Sequence, residues 1–274
     1  MEIKAADVAK LRKMTGAGMM DCKKALVEAD GDFGRAQEII REKGKLVAAK
    51  RADRETTEGA VIAKVNAAGN QAILTCLGCE TDFVAKNAEF QELANGIADA
   101  ALANMPADLA GLMATSLNGA SIEDAITQQT GKSGEKHAIP FYAKLEAPYI
   151  VDYIHTNGKV ATIVGFSKPI DHQVGREIAM QVTAMNPVSV SKNDCPQEVI
   201  EKEMEIYREQ IRLEGKPENM VEKIALGKLN KFFKEQTLED QTFVKDGKIS
   251  VAEYLKTVDA EVKVTAFFRF SLND

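Results

Sequence analysis

The sequence predicts an α+β protein with antiparallel sheets, and three observations lead to this prediction. In the first 44 residues, hydrophobic side chains recur every three or four positions, which is typical of amphipathic helices. From Gly59 onward they alternate with other residues, which is typical of half-buried strands. A unit of strand, turn, strand and helix then occurs twice, and such repeats define architecture. We therefore expect a helical domain followed by a core of two related α/β subdomains.

The bulk composition limits the class of protein. The 274 residues suffice for two domains, and the net charge of −6 argues against a general nucleic-acid binder, which needs a basic face. No apolar run approaches the ~18 residues of a membrane-spanning helix. Met1–Ala5 contains no apolar signal core. We expect a cytoplasmic protein that contacts neither a membrane nor nucleic acid directly.

Residues 1–44 are predicted to form a compact unit of three helices. Asp32 is placed to cap the third helix, and Gly44 is placed to end it. One apolar stripe runs along the second helix, formed by Cys22, Ala25, Leu26 and Ala29. Met19 and Met20 precede this stripe and either fill the core or serve protein contact. Because adjacent residues cannot share one helix face, we expect one of the two to be exposed.

Residues 45–58 are predicted to be a linker. They are basic, and their apolar side chains follow no period. A solvated hinge between the helical unit and the core is the ordinary explanation of such a segment.

The two copies of the repeat differ in length. The first runs 37 residues from Gly69 to Pro106, and the second runs 29 residues from Gly158 to Pro187. We place the excess between the second strand and the helix of the first copy, where Thr81–Lys86 has no counterpart. An insertion in one copy only is not required for the shared fold, so this tract is predicted to be functional.

The tract lies in the connection Cys79–Asn87, between an apolar strand and an amphipathic helix. In a purely structural interpretation, Thr81 or Asp82 caps a helix and Phe83 folds back onto the core. In a functional interpretation, Phe83 is partly exposed, because a ring that avoids the core at a cost in free energy must serve a purpose.

The remaining elements divide the core. The first subdomain is predicted to span residues 59–146, with a helix over 121–131 and an additional strand over 139–145. The second subdomain is predicted to begin with residues 147–196 and to close with residues 237–274, whose last strand returns to the second sheet.

Residues 197–236 are predicted to form an antiparallel helical hairpin inserted into the second subdomain. Apolar stripes line both of its helices, and Gly215–Pro217 is its turn. The hairpin either packs back on the body or projects and contacts another protein or a second copy of the chain. The last case would make a homodimer.

The sequence offers no complete catalytic or metal site. Cys76 and Cys79 form a CxxC pair, but strand geometry directs them to opposite faces, and a second pair is missing. His137, His155 and His172 show no ligand spacing, and no phosphate-binding loop or HExxH motif occurs. We expect buried, reduced cysteines, no metal and no cofactor.

Two long motifs resemble a known family. Leu11–Leu26, which reads LRKMTGAGMMDCKKAL, is similar to the first signature of elongation factor Ts, and Cys79–Lys86 is similar to its second. The order of parts agrees over nearly the whole chain, with a ubiquitin-associated-like head, a duplicated α/β core and a late helical hairpin. Directly before the second cysteine, the family usually has an acidic residue, an aliphatic residue and Asn. This chain departs from that pattern, because it has Cys76, Leu77 and Gly78 there. Because the last strand ends close to Asp274, we expect the extra C-terminal helical module of some members to be absent.

The resemblance implies a nucleotide exchange factor, without covalent chemistry, whose partner is the GTPase elongation factor Tu with bound GDP and magnesium. It implies that the segment disturbing the magnesium site of this GTPase consists of Thr81, Asp82, Phe83 and Val84. Further contacts with the GTPase are implied in the head for Arg12, Met19, Met20 and Lys23. In the second subdomain they are implied for His155 and Val244.

Two alternatives to this function are open at the level of sequence. The first is an interaction protein whose three-helix head binds another partner while the core is a scaffold. The second is a thiol enzyme that uses Cys76 and Cys79.

Overall fold

A computed structural model describes residues 3–273, so Met1, Glu2 and Asp274, at the outer ends of the predicted ranges 1–44 and 237–274, lie outside the described residues. Helices surround two three-stranded sheets and one two-stranded sheet, and every pairing between named strands is antiparallel. The predicted α+β class with antiparallel sheets is confirmed. Within residues 3–273, we find no helix with the length and apolar character needed to cross a membrane.

The chain begins with three helices, α1 (Ala5–Thr15), α2 (Met19–Glu28) and α3 (Phe33–Lys50). They pack around one apolar cluster, which includes Val8, Leu11, Cys22, Leu26 and Ala36. Asp32 caps α3 as predicted, because its carboxylate accepts a hydrogen bond of 2.8 Å from the backbone N–H of Arg35.

The first sheet has the strand order β1 (Glu58–Val65), β2 (Gln71–Cys79) and β5 (Ala138–Glu146). Between β2 and β5 the chain forms α4 (Asp82–Ala85), α5 (Ala88–Asn104), α6 (Leu109–Ala114), β3 (Ser116–Leu117), β4 (Ala120–Ser121) and α7 (Ile122–Ser133). The helix predicted over 121–131 and the strand predicted over 139–145 are both confirmed, within one or two residues at each end.

The second sheet has the order β6 (Tyr149–Ile154), β7 (Val160–Phe166) and β8 (Val264–Ser271). Its helices are α8 (His172–Met185), α9 (Gln197–Leu213), α10 (Glu218–Gln236) and α11 (Val251–Val258). The predicted return of the last strand to this sheet is confirmed, because β8 pairs with β7. The residues predicted to form the hairpin contain α9 and α10, which pack mainly on each other.

The two three-stranded sheets pack face to face. Leu74 of β2 and Ile163 of β7 belong to one buried cluster that fills the space between the sheets. On the outer faces, Ile73 packs with the residues of α5, and Val164 packs with those of α8. Because strand residues alternate between faces, both sheets are buried on two sides, in the layer order helix, sheet, sheet, helix.

The predicted end of α3 at Gly44 is wrong. The helix continues to Lys50 and takes up the first part of the predicted linker 45–58. Gly44 lies instead where α3 crosses α7, and a methyl group on Gly131 of α7 would come within 2.7 Å of the Cα of Gly44. Glycine permits this close approach of two backbones, and local sequence does not distinguish such a crossing from a stop signal.

The extra residues of the first repeat are only partly an insertion between strand and helix. β2 is two residues longer than β7, and α5 is three residues longer than α8. The connection that precedes α5 is itself only three residues longer than the one that precedes α8. Placing the whole excess at Thr81–Lys86 is therefore wrong, although the longer connection does contain the additional helix α4.

Candidate functional site

Phe83 is the most exposed large hydrophobic side chain among the described residues, at 84% of its surface. It lies on α4, a helix of four residues between β2 and α5. Ala85 on the same helix and Phe90 on the next one are buried. Phe83 therefore does not fold back onto the core, and the purely structural interpretation of this residue is wrong.

Thr81 caps α4, as one interpretation predicted. Its Oγ accepts a hydrogen bond of 3.4 Å from the backbone N–H of Val84. The cap fixes the start of the helix, so that Phe83 follows directly from an anchored residue. Val84 is half-buried and packs against the apolar cluster beneath α5.

Asp82 precedes Phe83 and is half-exposed. Its carboxylate accepts a hydrogen bond of 2.6 Å from the ammonium group of Lys86, one helical turn later. This hydrogen bond is the main reason why the pKa of Asp82 lies below its ordinary value. The carboxylate is therefore negatively charged at neutral pH and remains accessible to a partner.

Two carboxylates anchor the start of α4 to the segment between α7 and β5. Glu135 accepts hydrogen bonds from the N–H of Thr81, at 3.1 Å, and from its hydroxyl, at 2.7 Å. Glu80 accepts a hydrogen bond of 2.6 Å from the N–H of Lys136 and bonds of 3.0 and 2.8 Å from Arg51. The N–H of Lys136 is the main cause that lowers the pKa of Glu80. We call this pair of carboxylates, Glu80 and Glu135, the clamp.

Local sequence gives no signal for the clamp. Glu80 lies inside the quoted tract but carries no distinctive spacing, and Glu135 lies 54 residues after Thr81. Nothing near Glu135 in sequence indicates which backbone its carboxylate meets. Arg51 lies in the segment predicted to be a solvated linker, yet its guanidinium group is paired with Glu80.

The turn between β6 and β7 lines the same groove as α4. Asp82 and Lys86 line this groove together with Ile154 and Asn157. His155 is exposed between these two residues, and its Nδ1 lies 3.2 Å from the hydroxyl of Tyr153. The structure thus places the predicted residue His155 next to the groove that contains Asp82.

The four predicted residues of the head are all exposed. Arg12 and Met19 line one groove, together with Glu89 of α5 and Lys132 of α7, so the head lies beside the start of α5. Met19 is 43% exposed and Met20 is 65% exposed. The prediction that one of the two is exposed is therefore confirmed, and the structure shows that the other is exposed as well. Lys23 lies further along α2 and does not line that groove.

Val244 lies in the loop between α10 and α11 and is 52% exposed. Its backbone N–H donates a hydrogen bond of 2.8 Å to the amide oxygen of Gln181, which is fully buried on α8. The amide nitrogen of Gln181 donates to the carbonyl of Thr242, at 3.1 Å. A buried side chain therefore holds the loop that presents Val244.

Cys76 and Cys79 are poor candidates for thiol chemistry. They lie in separate clusters on opposite faces of the first sheet, as strand geometry predicts. Burial is the main cause that raises the pKa of each thiol to about 12, so both are protonated at neutral pH. No group of three or more His, Cys, Asp or Glu residues suited to a metal ion occurs in the described part of the chain.

Comparisons with known proteins agree on one family. The family model described as Elongation factor TS matches residues 80–274. Elongation factor Ts of Christiangramia forsetii is 50% identical over 273 residues, which cover 99% of each chain. The protein of the same name from Flavobacterium psychrophilum is 48% identical over 98% of this chain and 98% of its own length. The one from Porphyromonas gingivalis is 47% identical over 100% of this chain and 99% of its own length. The chain therefore belongs to the elongation factor Ts family of translation elongation factors.

Proposed function

We propose that this chain binds the GDP form of elongation factor Tu in the cytoplasm and promotes GDP release. In this proposal, Thr81–Val84 enters the GTPase beside its magnesium and phosphate site and disturbs that site. One observation carries the proposal: Phe83 is 84% exposed on a short, anchored helix in a chain of this family. The division into a ubiquitin-associated-like head, two related subdomains and an inserted hairpin belongs to the same proposal.

The exposed ring supplies the free energy of insertion. Transferring a Phe side chain from water into an apolar pocket contributes about 1.5–3 kcal/mol. Because the ring of Phe83 makes little contact with its own chain, most of this free energy is available to the complex. The adjacent carboxylate of Asp82 brings a negative charge to the same point, where it competes with the phosphate for magnesium and hydrogen-bond donors.

The required coupling is of a size that such contacts can reach. A GTPase that binds GDP at nanomolar affinity holds it by about 12 kcal/mol, and release at ordinary association rates takes minutes. Exchange at tens per second requires roughly 10⁴-fold acceleration, or about 5.5 kcal/mol of differential binding. By thermodynamic reciprocity, GDP weakens the binding of the exchange factor by the same ratio. No covalent step is needed, so Asp82 and Phe83 act only through contacts.

The other predicted residues extend this surface. We propose that Arg12, Met19, Met20 and Lys23 contact the same GTPase from the head. Exposed methionines adapt to a partner's surface with little strain, and both are exposed here. His155, in the turn between β6 and β7, and Val244, in the loop after α10, are proposed as further contacts.

The hairpin of α9 and α10, which we propose projects from the body, is a second contact surface in this proposal. Leu213 at its turn is 83% exposed and Leu226 on α10 is 49% exposed, although the hairpin has a buried cluster of its own. Another protein or a second copy of the chain would cover these residues.

The release of a fluorescent GDP from the cognate elongation factor Tu, followed by stopped flow, tests the proposal. We expect the wild-type chain to accelerate release strongly. Phe83→Ala should reduce this acceleration about tenfold to a hundredfold, which corresponds to the loss of about 1.5–3 kcal/mol. Its melting temperature should change by less than about 2 °C, because an exposed ring contributes little to folding. Asp82→Ala should reduce exchange about tenfold.

Leu46→Ala is the matched control, because Leu46 is another large apolar side chain, 63% exposed, on α3. It should leave exchange unchanged. If the wild-type chain fails to accelerate GDP release, the proposal is wrong, and a different partner of the head becomes the leading explanation. If Phe83→Ala and the wild-type chain accelerate GDP release equally, the role proposed for α4 is wrong.

A further inference from the structure

We propose that Glu135, supported by Glu80, is a positioning residue that holds α4 in the orientation that presents Phe83. The inference rests on the proposed function and deepens it, because it concerns how the exchange site is held ready before the partner arrives. Neither carboxylate needs to touch the partner in this account. Both act through the backbone that precedes Phe83.

α4 requires an external anchor. It has four residues, a single turn, and an isolated turn is unstable because nucleation fixes several dihedral angles for one hydrogen bond. The exposed ring of Phe83 adds to this problem, since an unanchored segment would gain free energy by turning the ring onto the chain's own apolar surface. The observed exposure of the ring therefore depends on contacts outside α4.

The clamp supplies these contacts in a reciprocal arrangement. The side chain of Glu135 binds the backbone of Thr81, while the side chain of Glu80 binds the backbone of Lys136. Two consecutive residues on one segment thus face two consecutive residues on the other. Hydrogen bonds to an ionised carboxylate are shorter and roughly twice as strong as neutral ones.

The hydroxyl of Thr81 transmits the anchor to α4. It donates its proton to Glu135 at 2.7 Å, which leaves its oxygen free to accept the N–H of Val84. The hydroxyl is therefore the donor in the first hydrogen bond and the acceptor in the second. Removing the Glu135 carboxylate would leave the N–H and hydroxyl of Thr81 without this acceptor and would loosen the cap of α4.

A further set of hydrogen bonds connects the clamp to the end of the head. Arg51, the residue after α3, binds both carboxylate oxygens of Glu80, and the ammonium group of Lys136 donates to the carbonyls of Ala52 and Arg54. The start of α4 is therefore tied both to the body and to the segment that carries the head. A site held in this way before binding avoids the entropy loss of ordering it during association.

A double-mutant cycle between Glu135 and Phe83 tests the inference, with fluorescent GDP release from elongation factor Tu as the readout. Glu135→Ala should slow exchange about tenfold in the wild-type background. In the Phe83→Ala background it should slow exchange less than twofold, because a positioning residue has little effect when the ring it positions is absent. A general loss of folding would lower exchange equally in both backgrounds.

Two further variants complete the experiment. Glu135→Gln keeps the shape of the side chain and one acceptor oxygen, so it should fold normally and show an intermediate loss that is again confined to the background containing Phe83. Glu146→Ala removes an exposed carboxylate from the opposite end of β5 and should behave as wild type.

The outcomes separate the two proposals. If the wild-type chain does not accelerate GDP release, the proposed function fails. If the wild type is active but Glu135→Ala and Glu135→Gln match it, the positioning role is wrong while the function stands. Equal losses in the presence and absence of Phe83 would also overturn the positioning role, because Glu135 would then act by another route.

Discussion

His137 is a buried ionisable side chain two residues after Glu135 of the clamp. Its Nδ1 lies 2.9 Å from the carbonyl of Glu135 and 3.4 Å from the hydroxyl of Thr130. Its Nε2 is buried without a hydrogen-bond partner within residues 3–273, and its ring lies 5.6 Å from that of Phe90. A proton on both nitrogens would place an unsatisfied charge in this apolar environment.

Burial is the main cause that lowers the pKa of His137 below its ordinary value of 6.5. Above pH 6.5 both the folded and the unfolded chain carry a neutral ring, so the folded state is not penalised. As the pH falls below 6.5, the unfolded chain takes up the proton first, and the free energy of unfolding decreases until the folded ring also titrates.

We therefore predict that stability decreases with acidification more steeply in the wild type than in His137→Gln. Urea denaturation at intervals between pH 7.5 and pH 5, read as the difference between the two proteins, measures this dependence. His172→Gln, which removes an exposed histidine from the start of α8, serves as the control and should keep the wild-type slope. Parallel curves for all three proteins would contradict the assignment to His137.

The crossing of α3 and α7 shows how an element can be determined by a distant neighbour. Two glycines, Gly44 and Gly131, meet at this crossing, but their surroundings differ. A methyl group on Gly131 would lie 2.7 Å from the Cα of Gly44. A methyl group on Gly44 would find its nearest neighbour, the carbonyl oxygen of Thr127, at an ordinary 3.5 Å.

Alanine at these two positions should have opposite effects. Gly131→Ala forces the helices apart, and we predict a loss of about 1–3 kcal/mol in the free energy of unfolding or of head docking. Gly44→Ala fits the available space and should be neutral or stabilising by up to about 1 kcal/mol, since alanine favours a helix more than glycine.

Denaturation and limited trypsin digestion after Arg51 and Arg54 measure this difference. Undocking of the head would release the Arg51–Glu80 pair and make both sites more susceptible in Gly131→Ala. Equal stability and equal digestion of the two variants would show that the close approach has no energetic consequence.

At the scale of the whole molecule, the layered body and the hairpin are separate in packing. The clusters between and outside the two sheets contain no residue of 197–236, whereas the hairpin cluster contains only residues of α9 and α10. Loss of the hairpin should therefore leave the core of the body intact. Regions with few shared buried contacts open independently of the rest.

We predict that replacing residues 199–234 by a short glycine–serine linker leaves a folded body. Packed helices lie about 8–10 Å apart, so a few residues can join their ends. In a calorimetric scan, the melting temperature of the variant without the hairpin should remain within about 3 °C of that of the full chain. Sedimentation of both proteins adds a test of self-association, because a homodimer through the hairpin would occur only in the full chain. Cooperative unfolding of both sheets on deletion would contradict the separation.

Much of the architecture could be predicted because its signals are local. The periodicity of apolar residues located the three helices of the head, the strands of both sheets and the hairpin. The difference in length between the two repeats indicates Thr81–Lys86 as an insertion, although most of the excess length lies in β2 and α5 themselves. The prediction that Cys76 and Cys79 face opposite sides needed only the two-residue period of a strand.

The sequence by itself therefore determined most of the secondary structure, the order of the predicted elements, the family and the residue types of Thr81–Val84. Tertiary structure decided that α3 passes through Gly44, because Gly131 lies 87 residues later and only the fold brings the two backbones together. It also decided that Glu135 and Glu80 anchor α4 and leave Phe83 exposed. The periodicity of apolar residues shows which face of a segment is buried. A contact between distant side chains and backbone groups exists only once the chain has folded.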